Sequence, residues 1–249
     1  MMRTILVPPF IATIAIIALG IVVMLLAPCS SEDALEFAEK NETSNVIQWH
    51  YHTPYNDTYQ TFVTPIPQEE FEDSMRSIVF RDSTNLVEYP TDFVDADDKY
   101  VQLTAEYLAG LTEGFDDYNR VNVVLNFVRT GITYTTDSDL YGRTEFWAKP
   151  METLYLQKGD CEDTAILFCS IISAMGYECA LTTAPGHVAA CVYLEGQEYF
   201  CETAGDIIDH PTSYPKQDYS IHQISDQGLA GKLNQFLADL GYTFYTFFN

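Results

Sequence analysis

The alternation of apolar and polar residues divides the first half of the chain into a hairpin and helices. β-rich runs at Val46–His52 and Thr58–Val63 flank a Pro-Tyr-Asn-Asp turn signal, which predicts the hairpin. Two segments begin with acidic residues and continue with apolar positions at helical spacing. This pattern predicts helices at Asp97–Leu111 and Asp117–Thr130. The pattern over Glu69–Arg81 fits either a short helix or irregular structure.

The second half predicts a buried helix followed by an antiparallel sheet. An apolar stretch from Cys161 to Met175 is stopped by Gly176, which is typical of a core helix. The other elements predicted here are a helical turn at Pro150–Tyr155, strands at Glu178–Thr183, His187–Leu194 and Glu198–Thr203, and an amphipathic helix at Ile224–Gly241. Helices and antiparallel strands in separate runs indicate the α+β class.

The N-terminus carries a different kind of apolar segment. Residues 5–27 form an uncharged run of 23 residues, and about 20 such residues span a bilayer. Arg3 precedes the run and acidic residues follow it, so the positive-inside rule places the remainder outside the cell. We predict a cytoplasmic stub and transmembrane anchor at 1–27, an acidic linker at 28–45, and one domain at 46–249 with its core at about 97–210.

Two alternatives to a retained anchor also place the domain outside the cell. One is a cleaved signal peptide, although the apolar run is longer than the usual 7–15 residues. The other is a lipid anchor at Cys29, where Pro28 departs from the small residue expected before such a cysteine. We therefore expect a single-pass cell-membrane protein, with a secreted or a lipid-anchored protein as the alternatives.

The charge of the chain limits its possible partners, and the positions of its cysteines limit the possible disulfide bonds. The chain has 36 acidic against 12 basic side chains, a net charge of −24, which argues against nucleic acid as a partner. Among the six cysteines, Cys169 lies in the apolar helix and is expected to be an inert buried residue. Strand parity points Cys191 and Cys201 to opposite faces of the sheet, so a disulfide between them is not expected.

The candidate chemistry centres on Cys161, which follows Gly159 and Asp160 at the start of the apolar helix. A helix N-terminus stabilises a thiolate through its unpaired N–H groups and dipole. His187 and Glu202 follow on predicted strands, as a base and the acid that orients it. This order predicts a cysteine nucleophile acting at an amide.

Hairpin geometry tests whether His187 and Glu202 can meet. If Glu195 and Gly196 form a two-residue turn, Leu194 lies opposite Gln197. Glu202 then lies opposite Ala189 and shares a sheet face with His187. A four-residue loop keeps this parity, whereas a three-residue loop places the two side chains on opposite faces.

The quoted motifs resemble the transglutaminase-like superfamily of cysteine enzymes. They are Gly-Asp-Cys-Glu-Asp at 159–163, Gly-His-Val-Ala-Ala at 186–190 and Phe-Cys-Glu-Thr at 200–203. The segment Glu145–Leu154 and the helix through Asn126 are similar to those of prokaryotic and archaeal members. The resemblance is strong over Val121–Thr203 and weaker back to Trp49.

This resemblance implies a papain-like core, in which the helix carrying the cysteine packs on an antiparallel sheet. It implies Cys161 as nucleophile, His187 as base and acid, and Glu202 as the acid of a catalytic triad. Trp147 and Asp160 are candidates for the oxyanion site or substrate cleft, with Trp147 either donating its indole N–H or acting as a hydrophobic anchor.

We expect no cofactor and no metal. The cysteines and histidines lack zinc-ligand spacing. Asp137 and Asp139 could form part of a calcium site, but a lone pair of loop acids is usually solvated, and we expect these two to be solvated. The function expected is thiol-dependent acyl transfer at amide bonds, as a peptidase, amidase or transglutaminase. Its expected substrates are extracellular proteins or cell-envelope peptides. The alternative is a non-catalytic interaction domain of a cell-surface assembly.

Overall fold

The structure, a computed structural model of the chain, describes residues 45–53, 56–76, 90–205, 210–213 and 220–224. The predicted anchor lies outside these ranges, as does the predicted linker up to residue 44 and the predicted C-terminal helix beyond residue 224. Among the helices within the described ranges, none is long and apolar enough to cross a membrane. These three segments therefore stay predictions.

Six α-helices and one 3-10 turn are present in the described ranges. The helices are α1 (Gln68–Arg76), α2 (Lys99–Leu111), α3 (Asp117–Gly131), α4 (Asp137–Leu140), α5 (Pro150–Leu156) and α6 (Cys161–Ala174), and the 3-10 turn covers Pro90–Phe93. The strands are β1 (Asn45–Thr53), β2 (Asn56–Thr64), β3 (Thr133–Tyr134), β4 (Lys158–Gly159), β5 (Glu178–Ala184), β6 (His187–Leu194), β7 (Gln197–Cys201), β8 (Thr212–Ser213) and β9 (Ser220–Gln223).

The predicted N-terminal hairpin is confirmed. β1 and β2 pair antiparallel over their whole length, with Trp49 opposite Gln60. Trp49 is buried and meets the Phe127 ring of α3 edge-on, at 5.3 Å between centroids. The hairpin and α3 thus contribute side chains to the same hydrophobic core.

Side-chain caps set where the predicted helices begin. Asp98 accepts the N–H groups of Tyr100 and Val101, so α2 begins two residues later than predicted. Asp116 likewise accepts the Asn119 N–H at the start of α3. The segment whose pattern was ambiguous forms a helix as far as Arg76.

A five-stranded antiparallel sheet lies beside α6, in the order β8-β7-β6-β5-β9. α6 packs against β5 and β6. Its apolar residues Leu167, Phe168 and Ile171 are fully buried, as are Leu181 and Val192 of the sheet. This helix-on-sheet arrangement confirms the predicted α+β class.

The turn between β6 and β7 has the predicted length. Leu194 lies opposite Gln197, and both turn residues have positive φ, +50° at Glu195 and +77° at Gly196. Two such residues form the tight turn that matches strand twist, and glycine adopts positive φ at little cost. The register runs from this turn to Ala190 opposite Cys201.

The described cysteines are all free thiols, and Cys169 is buried as expected. Cys191 lies opposite Phe200, whereas Cys201 lies opposite Ala190. Side chains alternate along a strand, so the two thiols face opposite sides of the sheet. The doubt about a disulfide between them is therefore confirmed.

The segment between α3 and α5, for which only a loop is expected, contains β3 and α4. β3 pairs in parallel with β4, with Tyr134 beside Gly159. The Thr135 N–H also donates to the Gly159 carbonyl at 2.9 Å. These bonds fix the chain immediately before Cys161.

Candidate active site

Cys161 is the first residue of α6, and Asp160 occupies the N-cap position. The Asp160 side chain accepts no capping hydrogen bond. The first N–H groups of a helix have no partner within the helix, so those of α6 are not closed off by this cap. Cys161 therefore lies where an anion would meet helix N–H groups.

Gly159 is required by a close approach to the same helix. A Cβ at this position would lie 2.6 Å from Asp163 Cβ and 2.8 Å from its Oδ2. A Cβ atom essentially never lies within 3.0 Å of a non-bonded heavy atom, so a larger residue at position 159 would force Asp163 to shift. Glycine thus lets β4 lead directly into Cys161.

His187 and Glu202 form the pair that hairpin parity predicts. His187 Nε2 and Glu202 Oε2 are 2.9 Å apart, and the two side chains are 30% and 15% exposed. The hydrogen bond to Glu202 raises the pKa of His187, against a smaller lowering by burial. The pair is thus a histidine made more basic by its carboxylate.

The chain around Glu202 is held from three directions. Arg129 of α3 donates to the Glu202 carbonyl at 2.9 Å, and the Ala204 N–H donates to Glu202 Oε1 at 3.2 Å. Thr203 shares a 3.1 Å hydrogen bond with Thr164 of α6. These contacts tie the end of β7 to both helices and fix the carboxylate that faces His187.

Cys161, the first residue of α6, lies beside the start of β6. The Val188 N–H donates to its sulfur, and Sγ itself donates to Glu162 Oε2 at 3.2 Å. Within the described ranges, no hydrogen bond joins Cys161 to His187. The structure therefore brings His187 and Glu202 together and places the thiol beside the residue that follows His187.

The surroundings of the thiol differ from the electropositive helix end that the sequence suggests. Burial is the largest effect and raises the pKa of Cys161 well above its ordinary value. The charges of Glu162 and Asp160 raise this pKa further, whereas the Val188 N–H lowers it. In this environment the resting group is a thiol.

Three acids near Cys161 are buried. Glu162, Asp163 and Asp137 are 4%, 0% and 3% exposed, so the expectation that Asp137 is solvated is wrong. Burial, with neighbouring acids, raises the pKa of Asp137 to about 7 and that of Glu162 to about 10. The pKa of Asp163 is raised too, mainly by burial.

Sequence reasoning missed this set of buried acids. The acids that flank Cys161 directly precede a buried helix, and that position was a usable signal for Glu162 and Asp163. Asp137 gave no signal, because its burial depends on β3 pairing with β4 more than 20 residues along the chain. Only the tertiary structure brings these segments together.

The two predicted cleft residues have specific surroundings. Trp147 is 7% exposed, and its indole N–H donates to Glu145 Oε1 at 2.6 Å. Its ring meets Phe93 edge-on at 5.7 Å. Asp160 has an oxygen, Oδ1, with no hydrogen-bond partner among the described residues. The Trp147 N–H is thus already engaged by a carboxylate.

Comparison with known proteins gives a family and several remote structural likenesses. The sequence model described as the transglutaminase-like superfamily matches residues 102–200. LapG from Legionella pneumophila, in its EGTA-treated form, is 15% identical, with a TM-score of 0.37, over 52% of this chain and 80% of that one. A comparison with curated proteins gave no match.

Two further solved structures show similar remote likeness. One, described as a TGase, is 12% identical over 76% of this chain and 51% of its own length, with a TM-score of 0.37. The other, a proposed cysteine protease from Cytophaga hutchinsonii, is 10% identical over 64% of each chain, with a TM-score of 0.35.

Residues 102–200 thus match the transglutaminase-like superfamily that the sequence motifs resemble. The matched region contains Cys161 and His187 and ends two residues before Glu202. In general terms, this match and the Cys-His-Glu set support a cysteine-dependent enzyme.

Proposed function

We propose that this protein is a thiol enzyme that transfers acyl groups at amide bonds through a thioester on Cys161. The observation that carries the proposal is the 2.9 Å bond between His187 and Glu202 beside the helix that begins with Cys161. A base held by a carboxylate next to a thiol is the arrangement that nucleophilic catalysis requires.

The direction of proton transfer follows from the histidine tautomer. Glu202 accepts the hydrogen bond from Nε2, so the neutral ring carries its proton there and has a lone pair on Nδ1. Nδ1 has no hydrogen-bond partner among the described residues, and it is the atom that would take the Cys161 proton. Because the thiol pKa is raised, we place this transfer in the attack step and not before it.

The reaction then has two halves. The Cys161 sulfur bonds to the carbonyl carbon as its proton passes to His187, and the resulting imidazolium protonates the departing amine. Water or a second amine next attacks the thioester and gives its proton to His187, which returns it to the sulfur. The first product route is hydrolysis and the second is crosslinking.

The oxyanion would be held by the start of α6. The Cys161 backbone N–H lies in the first turn, where N–H groups lack intrahelical partners, and Asp160 does not cap them. N–H groups aimed at a developing oxyanion contribute strongly to acyl transfer. Trp147 is the weaker candidate for this role, because Glu145 already accepts its N–H.

A non-catalytic interaction domain is the second candidate, and one observation favours it. Cys161 donates to Glu162 and not to His187, and its pKa is raised. A thiol held this way permanently would be inert. The two functions therefore differ in whether His187 activates the thiol.

Alkylation by iodoacetamide at neutral pH separates the two functions. Peptide mass spectrometry would follow Cys161, since the other described cysteines are buried. We expect His187→Ala to slow alkylation by at least about 10-fold, since it removes the base. The exposed-strand variant His52→Ala should leave the rate unchanged. Equal rates in wild type and His187→Ala would reject the enzyme.

The proposed cellular location and the proposed substrate class are supported by the sequence alone. The apolar run at 5–27 supports a single-pass anchor with the domain outside the cell, which in turn favours extracellular proteins or cell-envelope peptides as substrates. Release of ammonia or of new peptide ends, with or without incorporation of a small amine, would distinguish crosslinking from hydrolysis. Protease accessibility of the domain in intact cells would test its side of the membrane.

A further inference from the structure

Two histidines lie side by side on the outer face of the N-terminal hairpin. His50 and His52 are two residues apart in β1, so their side chains leave the strand on the same side. Trp49 and Tyr51 alternate with them and are buried, which places both histidines on the face away from the core. The His52 side chain is 48% exposed. Solutes can therefore reach this face of the hairpin.

The separation of the two rings fits one shared metal ion. Their centroids are 5.4 Å apart, and their planes meet at 82°. Two imidazoles that bind one zinc ion at about 2.0–2.1 Å, in a tetrahedral arrangement, have centroids about 5 Å apart. Edge-to-face packing of rings has similar separations, so metal binding also requires a ring nitrogen that is available on each histidine.

The hydrogen bond of His52 leaves one of its nitrogens available to a metal. Asp57 lies opposite His52 in the hairpin, and its Oδ1 accepts a hydrogen bond from His52 Nδ1. The neutral ring then carries its proton on Nδ1 and a lone pair on Nε2. Histidines that bind metals usually donate their other N–H to a carboxylate in this way, which fixes the ring and raises its basicity as a ligand.

His50 has an available ring and an anchored backbone. Among the described residues, no hydrogen-bond partner is present for its ring, which packs on Tyr59 of β2 at 5.3 Å between centroids. The His50 N–H donates to the Thr130 hydroxyl of α3, and that hydroxyl donates to the His50 carbonyl, each at 3.0 Å. These bonds hold β1 against α3, and ligands on a strand held in this way keep their spacing.

We propose that His50 and His52 bind one divalent transition-metal ion, such as nickel or zinc, with water in its remaining positions. Imidazole nitrogens suit these metals, whereas magnesium and calcium prefer oxygen ligands. Asp57 is the positioning residue, because it acts through the His52 ring. The proposal departs from the expectation that the chain binds no metal. It does not rest on the proposed function, since Cys161 has no part in the site.

Calorimetric titration of the purified full chain with nickel, after dialysis against EDTA, tests the site. Excess magnesium in the buffer occupies carboxylates that would otherwise bind nickel weakly. A background of Cys29→Ser and Cys161→Ser removes a thiol outside the described ranges and the described thiol that is not buried. We expect one nickel ion per chain, and tighter binding of copper than of nickel. Absence of nickel binding, or its complete suppression by magnesium, would overturn the proposal.

Matched variants in the same background locate the ion. His50→Ala and His52→Ala should each weaken nickel binding at least about 10-fold, because one imidazole remains. Asp57→Ala should weaken it about 10-fold, and Asp57→Asn, which keeps an oxygen acceptor for His52, should recover part of that loss. His222→Ala in β9, whose ring bonds to the Thr183 hydroxyl, is the control and should bind like wild type. Unchanged affinity in either hairpin histidine variant would reject this location, and unchanged affinity in Asp57→Ala would reject its positioning role.

Discussion

The candidate site has two halves with opposite effects on a charged group. The strand half is the pair His187 and Glu202, and the helix half is the first turn of α6 with Cys161. On the strands, Glu202 accepts a hydrogen bond from His187 and raises the pKa of that histidine. At the start of α6, burial and neighbouring acids raise the pKa of the Cys161 thiol. The strand half stabilises a charged group, whereas the helix half disfavours one.

This difference shows that neither half is sufficient alone. The helix N-terminus cannot by itself keep Cys161 as a thiolate, because desolvation exceeds what one N–H contributes. The strand half has a free Nδ1 but no nucleophile of its own. Catalysis therefore requires the proton to cross from helix to strand, and variants of each half should fail in different ways.

The largest effect is expected from Glu202→Gln in the strand half. The Ala204 N–H would hold the glutamine carbonyl oxygen and direct the NH₂ group at His187 Nε2. The ring would then carry its proton on Nδ1 and could not accept one from Cys161. We expect alkylation of Cys161 to slow as much as in His187→Ala, by at least about 10-fold, because the base is unavailable in both variants. Glu198→Gln, in β7 just before Glu202, is the control.

Gly159→Ala should damage the helix half through sterics alone. Its Cβ would lie 2.6 Å from Asp163 Cβ, so the first turn of α6 must shift. We expect a loss of about 2 kcal/mol of unfolding free energy, measured by urea denaturation. Gly110→Ala in α2 is the matched control, because no atom lies within 4 Å of its Cβ, and it should gain up to about 1 kcal/mol. Equal stability of the two variants would show that the close approach is not real.

Thr203→Val tests the contact between the halves. Its hydroxyl shares a buried 3.1 Å hydrogen bond with Thr164 of α6. Losing one such bond should cost about 1 kcal/mol, or about 2–4 °C in Tm. A calorimetric scan of this variant with no shift in Tm would mean that the bond contributes nothing to joining the halves.

The strand half could be predicted from the sequence because its determinants are local. The turn at Glu195 and Gly196 fixes the register of β6 and β7. Parity then places His187 and Glu202 on one face without any knowledge of the rest of the fold. Helices α2 and α3 were also predictable, since Asp98 and Asp116 mark their starts in the sequence.

The helix half could not be predicted in the same way. Sequence shows that acids flank Cys161, but not that Glu162 and Asp163 are buried. Their burial depends on contacts from the segment 137–148, which reaches the site through β3 and β4. The sign of the thiol pKa shift follows from that burial, so a local argument from the helix dipole gave the wrong direction.

The pH dependence of Cys161 alkylation tests most directly whether His187 receives the thiol proton. The hydrogen bond to Glu202 raises the pKa of His187, so this base becomes available only as the pH rises above the ordinary histidine value of about 6.5. The wild-type rate should rise through the His187 pKa and then level off. The His187→Ala rate should stay low until strongly alkaline pH, where the thiol ionises unaided. Superimposable profiles for the two proteins would contradict the account.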